Sequence, residues 1–258
     1  MANYNTTYDQ NPTFDGHKTT AVARPFYWIR AGFSDLVGAP LLSILLGGSF
    51  TVLCAVAFGV VNTLPLFSVS VLAMLLIVSP FLAAAAYSVA RQRDETLTPT
   101  LRVCLEDIRG RALGIGLFSI LSALIVAAWI RLSGIVFALY YGSLGESTAH
   151  VARALTSGAS LPSMVVFFTV ALALLALTLF TIGAFALPII ADRNTNVINA
   201  AQRSVEILKS NMSTILVWML LLAAFIAVAL LSGLILMPVV FPLLSYATWH
   251  SYRQLSRK

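Results

Sequence analysis

Charge is almost absent from six long stretches of this sequence and crowded into the segments between them, and that pattern most constrains the fold. Apolar runs lie near residues 39–61, 66–90, 112–134, 165–191, 213–232 and 234–252. Most exceed the roughly 20 residues a helix needs to cross a hydrocarbon core. Backbone surrounded by lipid must satisfy its own polar groups, which a continuous apolar run does by coiling into a helix. Only 10% of the 258 residues are charged, against about 25% in a soluble domain, and mean hydropathy is +0.90. The expected fold is all-α, a polytopic membrane bundle of six transmembrane helices. Its last two runs are separated only by Ser232 and Gly233, as in a tight hairpin.

The segments between the runs alternate in charge. One set holds Lys18, Arg24, Arg30, Arg91, Arg93, Arg102, Arg109, Arg111, Arg193, Arg203, Lys209, Arg253, Arg257 and Lys258, which is 14 of the 16 basic residues. The other set holds Arg153, and Arg131 belongs to neither. Basic residues favour the cytoplasmic side, so both the N- and C-terminal segments are expected there. The basic residues form no single patch, which argues against a nucleic-acid partner despite the net charge of +6. Residues 1–23 are polar, cannot bury a core and read as a flexible cytoplasmic tail. They contain no apolar core like that of a signal peptide, so the first span is expected to serve as the insertion signal.

Within 24–258, the six-span membrane domain, three similar units are expected at 24–91, 98–193 and 195–253. Each is an interfacial helix, a span, an outer loop and a second span. In the first, RPFYWIRAGFSDLVGAP sets Phe26, Ile29, Phe33, Leu36 and Val37 at helical spacing, with Tyr27 and Trp28 suited to the headgroup level. In the second, Thr98 and Pro99 suit a helix start, and Leu101, Leu105 and Ile108 share a face. In the third, Thr195 or Asn196 can cap a helix whose Ile198, Ala201, Val205 and Leu208 share a face. Each second span contains a proline (Pro80, Pro188 or Pro242) that removes a backbone hydrogen bond and is expected to kink the helix. The segments PFLAAAAYSVAR and PLLSYATWHSYR both place an aromatic residue seven positions, and an arginine eleven positions, after the proline.

Candidate sites for chemistry are few. Ser43, Gly47, Thr51, Ala55 and Gly59 recur every four residues in the first run, a spacing that lets helices approach closely, within the bundle or against a partner. Arg131 continues a similar line from Ser119, Ala123 and Ala127. It lies twenty residues beyond Arg111, about 30 Å along a helix, where it can reach outer headgroups or pair with a partner subunit or Glu146. His250 sits beside Trp249, Tyr252 and Arg253, a group read as anchors at the cytoplasmic interface. His17 and His150 fall on opposite sides of the membrane, so two-histidine haem ligation is not expected. The spacing of Cys54, Cys104, the histidines and the carboxylates suggests no metal, cofactor or nucleophile site. An outer helix starting at Ser143, with Glu146 completing a capping box, and a helical extension over 135–141 are expected after the third run.

PLLSYATWHSYR, the block ALPIIADR…A…S…N from Ala186 to Asn211, and the opening RPFYWIRAGFSDL resemble a family of uncharacterised bacterial integral membrane proteins, domain of unknown function 2189. The resemblance spans most of residues 24–255 and implies a bacterial inner membrane and about six spans, but no activity. Relatives commonly carry Gly-His before Ala-Thr-Trp-His, where this chain has Ser245 and Tyr246. More loosely, the helix-plus-hairpin units are similar to the membrane region accompanying some glycerophosphodiesterases, without their catalytic motif. The expected function is non-catalytic: an accessory or structural subunit in the bilayer, associating with partner subunits or with itself. The alternative is a small-molecule or lipid transporter with a cavity at the proline kinks.

Overall fold

The computed structural model describes residues 20, 22–142, 161–193 and 195–256. Nearly all of the 1–23 tail, and the expected outer helix with Ser143, Glu146 and His150, lie outside these. The described residues form helices and connecting turns, with no strand among them. In chain order the helices are α1 (Arg24–Gly38), α2 (Pro40–Thr63), α3 (Ser68–Asp94), α4 (Leu101–Gly142), α5 (Leu161–Gly183), α6 (Ala186–Arg193), α7 (Val197–Ser210), α8 (Met212–Leu231) and α9 (Met237–Leu255). A 3-10 turn, Pro65–Phe67, joins α2 to α3.

Helix boundaries follow local chemistry. Pro40 opens α2, so α1 ends at Gly38 and is capped by Ala39, whose N–H bonds back to the Asp35 carbonyl. Asn196 caps α7, its side chain accepting from the Asn199 N–H at 2.8 Å. Asn211 separates α7 from α8 with a φ of −136°. Nothing comparable interrupts Leu101–Gly142. The interfacial helix and the span expected separately in the second unit are therefore one 42-residue helix, about 63 Å long. That helix takes in the expected extension over 135–141 but starts at Leu101, two residues after Pro99.

Among the described residues, five stretches are long and apolar enough to cross a membrane: Pro40–Thr63, Ser68–Asp94, Leu101–Val136, Val166–Arg193 and Met212–Leu231. The fourth is broken at Ala184–Phe185, where Pro188 cannot donate to the Ala184 carbonyl. Ser204 of α7 fills the gap, donating to the Thr181 carbonyl (3.1 Å) and accepting from the Phe185 N–H (3.2 Å). The sixth expected span, 234–252, corresponds to α9, whose second half is rich in Ser, Tyr, His and Arg. Twelve of its 19 residues are buried, against four of 20 in the far more apolar α8. Lipid-facing residues must be apolar, whereas a helix enclosed by other helices can carry polar groups that find partners there.

The bundle is organised around α9. Helices α1, α2, α3 and α8 pack against it, α4 packs on α3 and α6, and α7 packs under α5 and α6. Two glycines set the closest backbone approaches to α9. A Cβ at Gly32 of α1 would lie 2.8 Å from the Leu243 carbonyl oxygen, and one at Gly47 of α2 would overlap the Pro238 carbonyl. Next to Gly47, Ser43 is buried and Phe50 stacks on Phe241 with centroids 4.1 Å apart. Thr51 is half-buried, while Ala55 and Gly59 are exposed. The small-residue stripe thus meets α9 over its first half only. Gly47→Ala is expected to destabilise by about 1–3 kcal/mol through overpacking. Gly59→Ala, with open space around it, should stay within about 0.5 kcal/mol. Unfolding midpoints in a mild detergent would check both.

Two of the three interfacial segments are rotated relative to their apolar stripes. Helix α1 buries Pro25, Trp28, Gly32 and Asp35 and exposes Phe26, Phe33 and Val37. Helix α4 buries Cys104 and leaves Leu101 and Leu105 exposed, while α7 buries Val197, Ala200, Ser204, Ile207 and Leu208 but exposes Ile198. In α1 and α4 much of the apolar stripe is left outside, whereas in α7 Leu208 is buried, Ala201 and Val205 are half-buried and only Ile198 of the stripe is exposed.

Candidate functional site

The segments after the three prolines are the most enclosed parts of the bundle. Pro80, Pro188 and Pro242 are buried, as are Ala84–Ala90, Ala186–Ile190 and most of Leu243–Leu255. Where these segments end, three polar groupings form a layer at one end of the molecule.

The first grouping joins α1, α3 and α9. Asp35 is buried, and its carboxylate accepts from Arg93 Nε at 3.0 Å and lies 2.7 Å from His250 Nε2. The other ring nitrogen of His250 is 3.7 Å from Asp94 Oδ1. Asp94 Oδ2 accepts from the Trp249 indole at 3.0 Å. Arg253 lies 3.9 Å from that carboxylate and 5.8 Å from the Trp249 ring centre. His250 is thus held between two carboxylates, each with an arginine beside it. Near this group, burial and then the charge of Asp94 push the Tyr27 phenol above its ordinary range, so it stays neutral.

The second grouping joins α3 to α4. Asp107 accepts from the Ser88 hydroxyl, from Arg91 Nη2 and from Arg111 Nη1 at 2.9 Å. Gln92, buried beside it, donates to Ser88 and to Cys104 Sγ (3.4 Å) and accepts from the Thr100 N–H (3.0 Å). This last bond secures the turn before α4, in which Thr96 takes a left-handed φ of 58°. A cavity of about 10 Å³, lined by Ser88, Arg91, Asp107, Arg111, Tyr87 and Trp249 among others, adjoins this grouping. It has room for about one water molecule.

The third grouping is the Tyr252 hydroxyl donating to Asp192 at 2.6 Å, with Arg193 Nε 3.9 Å from the same carboxylate. Deeper along α9, Ser43 spends its hydroxyl proton on the Ala39 carbonyl (2.8 Å), so Tyr246 donates to Ser43 across 2.9 Å.

These positions revise the expected interface anchors. Trp28, Trp249 and Tyr252 are essentially fully buried in protein, so they do not sit at the headgroups. Their polar tips meet Gln254, Asp94 and Asp192 respectively. An aromatic with a polar tip suits a buried site with a partner as well as a bilayer surface. Tyr27 and Arg253 keep partial exposure, and His250 is drawn into the first grouping. Arg131 is exposed on α4 and makes no ion pair among the described residues. The sequence reading missed the network itself. Its trace was an aspartate near each junction on the basic side, at positions 35, 94, 107 and 192.

Chemically, the layer joins helices: carboxylates are matched by guanidinium, imidazole, indole or hydroxyl donors from other helices. Ser88 hydrogen-bonds a carboxylate, and the histidine lies in a different grouping, so the two do not form a nucleophile–base pair. Among the described residues, no group of three His, Cys, Asp or Glu side chains is placed to hold a metal ion.

Long apolar helices around a polar-tipped central helix define a multi-pass integral membrane protein. Residues 66–192 match the family described as predicted integral membrane protein, domain of unknown function 2189. The matched region runs from the 3-10 turn through α6 and contains Pro80, Pro188, Asp94, Asp107 and Asp192. It leaves out two of the strings that carried the resemblance, PLLSYATWHSYR and RPFYWIRAGFSDL. No curated protein and no solved structure matches the chain.

Proposed function

We propose that this is a non-catalytic membrane protein, an accessory or structural subunit of a larger assembly in a bacterial inner membrane. Support comes chiefly from how the polar groups are used. Asp35, Asp94, Asp107 and Asp192 all bind residues of other helices, so the layer serves to close the bundle. The outer faces of α2, α4, α5 and α8 are rows of exposed apolar side chains, suited to lipid or to other membrane helices. Gentle solubilisation at native expression, followed by native gel electrophoresis, should show the protein migrating with other subunits. Migration as a lone monomer would refute the reading.

In this reading the charged layer faces the cytoplasm, in keeping with the basic residues around it. A cysteine replacing Glu95 should resist a membrane-impermeant maleimide in intact cells, while one replacing Leu66 should be labelled. The reverse pattern would invert the topology.

The three units are proposed to be internal repeats closed into a ring. The proline-bearing helices α3, α6 and α9 touch one another, and each second-span segment packs on the next unit's interfacial helix: α3 on α4, α5 and α6 on α7, and α9 on α1. Ser88 and His250, each eight residues after its proline, reach Asp107 and Asp35 of the following unit. The second unit departs from this, because the eighth position after Pro188 is Asn196, the cap of α7.

The transporter alternative needs a cavity at the depth of the prolines. All three prolines are buried, and the cavity beside Ser88 and Asp107, at the charged end, holds about one water.

A further inference from the structure

We infer that Arg91 and Arg111 form a binding site for a phosphate group, supplied by an anionic phospholipid headgroup or by free phosphate. The argument starts from a mismatch between donors and acceptors. Two guanidiniums face the single carboxylate of Asp107, which also accepts the Ser88 hydroxyl. Each guanidinium has five N–H donors; beyond the bonds that Arg91 Nη2 and Arg111 Nη1 make to Asp107, Arg91 Nη1 and Arg111 Nη2 are not buried and have no acceptor among the described residues. Neighbouring carboxylates are already engaged: Asp94 with Trp249, His250 and Arg253, and Asp192 with Tyr252. A positive charge and unused donors therefore remain where the protein offers no further acceptor.

An anion with several oxygens matches that surplus, because guanidinium forks pair with phosphate through charge-assisted bonds. The adjoining cavity, at about 10 Å³, is too small to enclose a phosphate. The side chains of Arg91 and Arg111 nevertheless remain 19% and 18% exposed, so the anion would dock at the mouth. Past Arg111, α4 continues into its apolar run with Leu113 and Leu117 exposed, suited to acyl chains below a headgroup. Basic pockets between helices at a membrane surface commonly bind anionic lipid in this way.

The test uses the full-length protein in neutral detergent. Its unfolding midpoint is measured with added phosphatidylglycerol, phosphatidylcholine or inorganic phosphate. Ligands that bind only the folded state raise the midpoint with concentration. Phosphatidylglycerol, but not phosphatidylcholine, is expected to raise it. Arg111→Gln is expected to weaken that response about tenfold or more. Arg109→Gln removes the same charge from the exposed side of α4 and should leave the response unchanged. If Arg111→Gln does not fold, Arg111→Lys, which keeps the charge but loses the fork, replaces it with the same expectation. A shift with both phosphatidylglycerol and phosphate supports the site. A shift with only one also supports it and names the source. No shift with either, or equal weakening by Arg109→Gln and the Arg111 variant, would overturn the inference.

Discussion

Asp35→Ala is expected to destabilise the protein by about 3 kcal/mol, the lower end of the range for breaking a buried ion pair, because the partners can be partly hydrated. Asp35 is buried, and its carboxylate serves Arg93 and His250 together. Its removal leaves a guanidinium and an imidazole enclosed by α1, α3 and α9 with no shared acceptor. Asp35→Asn keeps one acceptor oxygen and should cost less. Residues joined through one network are not additive, so Asp35→Ala combined with Arg93→Ala should cost less than the sum of the two single changes. Unfolding midpoints in mild detergent would measure all of these. Strict additivity would mean that the pair contributes nothing to holding α1 against α3.

Trp28→Ala should cost about 3–5 kcal/mol, as for other buried large-to-small changes. The side chain is fully buried, meets Trp218 edge-on with centroids 5.5 Å apart, and donates to Gln254. Trp28→Phe keeps most of the burial and should cost about 1–2 kcal/mol for the lost hydrogen bond. Phe26→Ala, at an exposed position on the same helix, is expected to stay below about 1 kcal/mol. A headgroup anchor would behave otherwise: Trp28→Ala would barely move the unfolding midpoint and would mainly weaken the seating of α1 on vesicles.

Much of the fold was legible in the chain because bilayer insertion imposes a local requirement. Each apolar run is largely helical, the fourth being split between α5 and α6, and the cap expected at Thr195 or Asn196 is Asn196. The three proline-led segments stood out in the sequence and lie at the centre of the bundle. Other features were not legible. The continuity of α4 turned on the lack of any breaker strong enough to separate two helices around Gly110, and a single glycine is tolerated inside a helix. Trp28, Trp249 and Tyr252 have the composition of a headgroup belt, and composition cannot say whether a polar tip will meet lipid or a carboxylate.

The sequence by itself determined that this is a membrane protein, where its apolar helices lie, and which segments carry the charge. Those properties depend on hydropathy along a single helix, which lipid tests one segment at a time. Only the tertiary structure decided which face of each helix meets protein. Lipid and protein interiors are both apolar, so an apolar stripe does not point inward as it does in water. Tertiary structure also decided that Asp35 meets Arg93 and His250, 58 and 215 residues away, and that the polar end of α9 lies inside the bundle. Partners that far apart in the chain are brought together by packing, and no local pattern encodes the match.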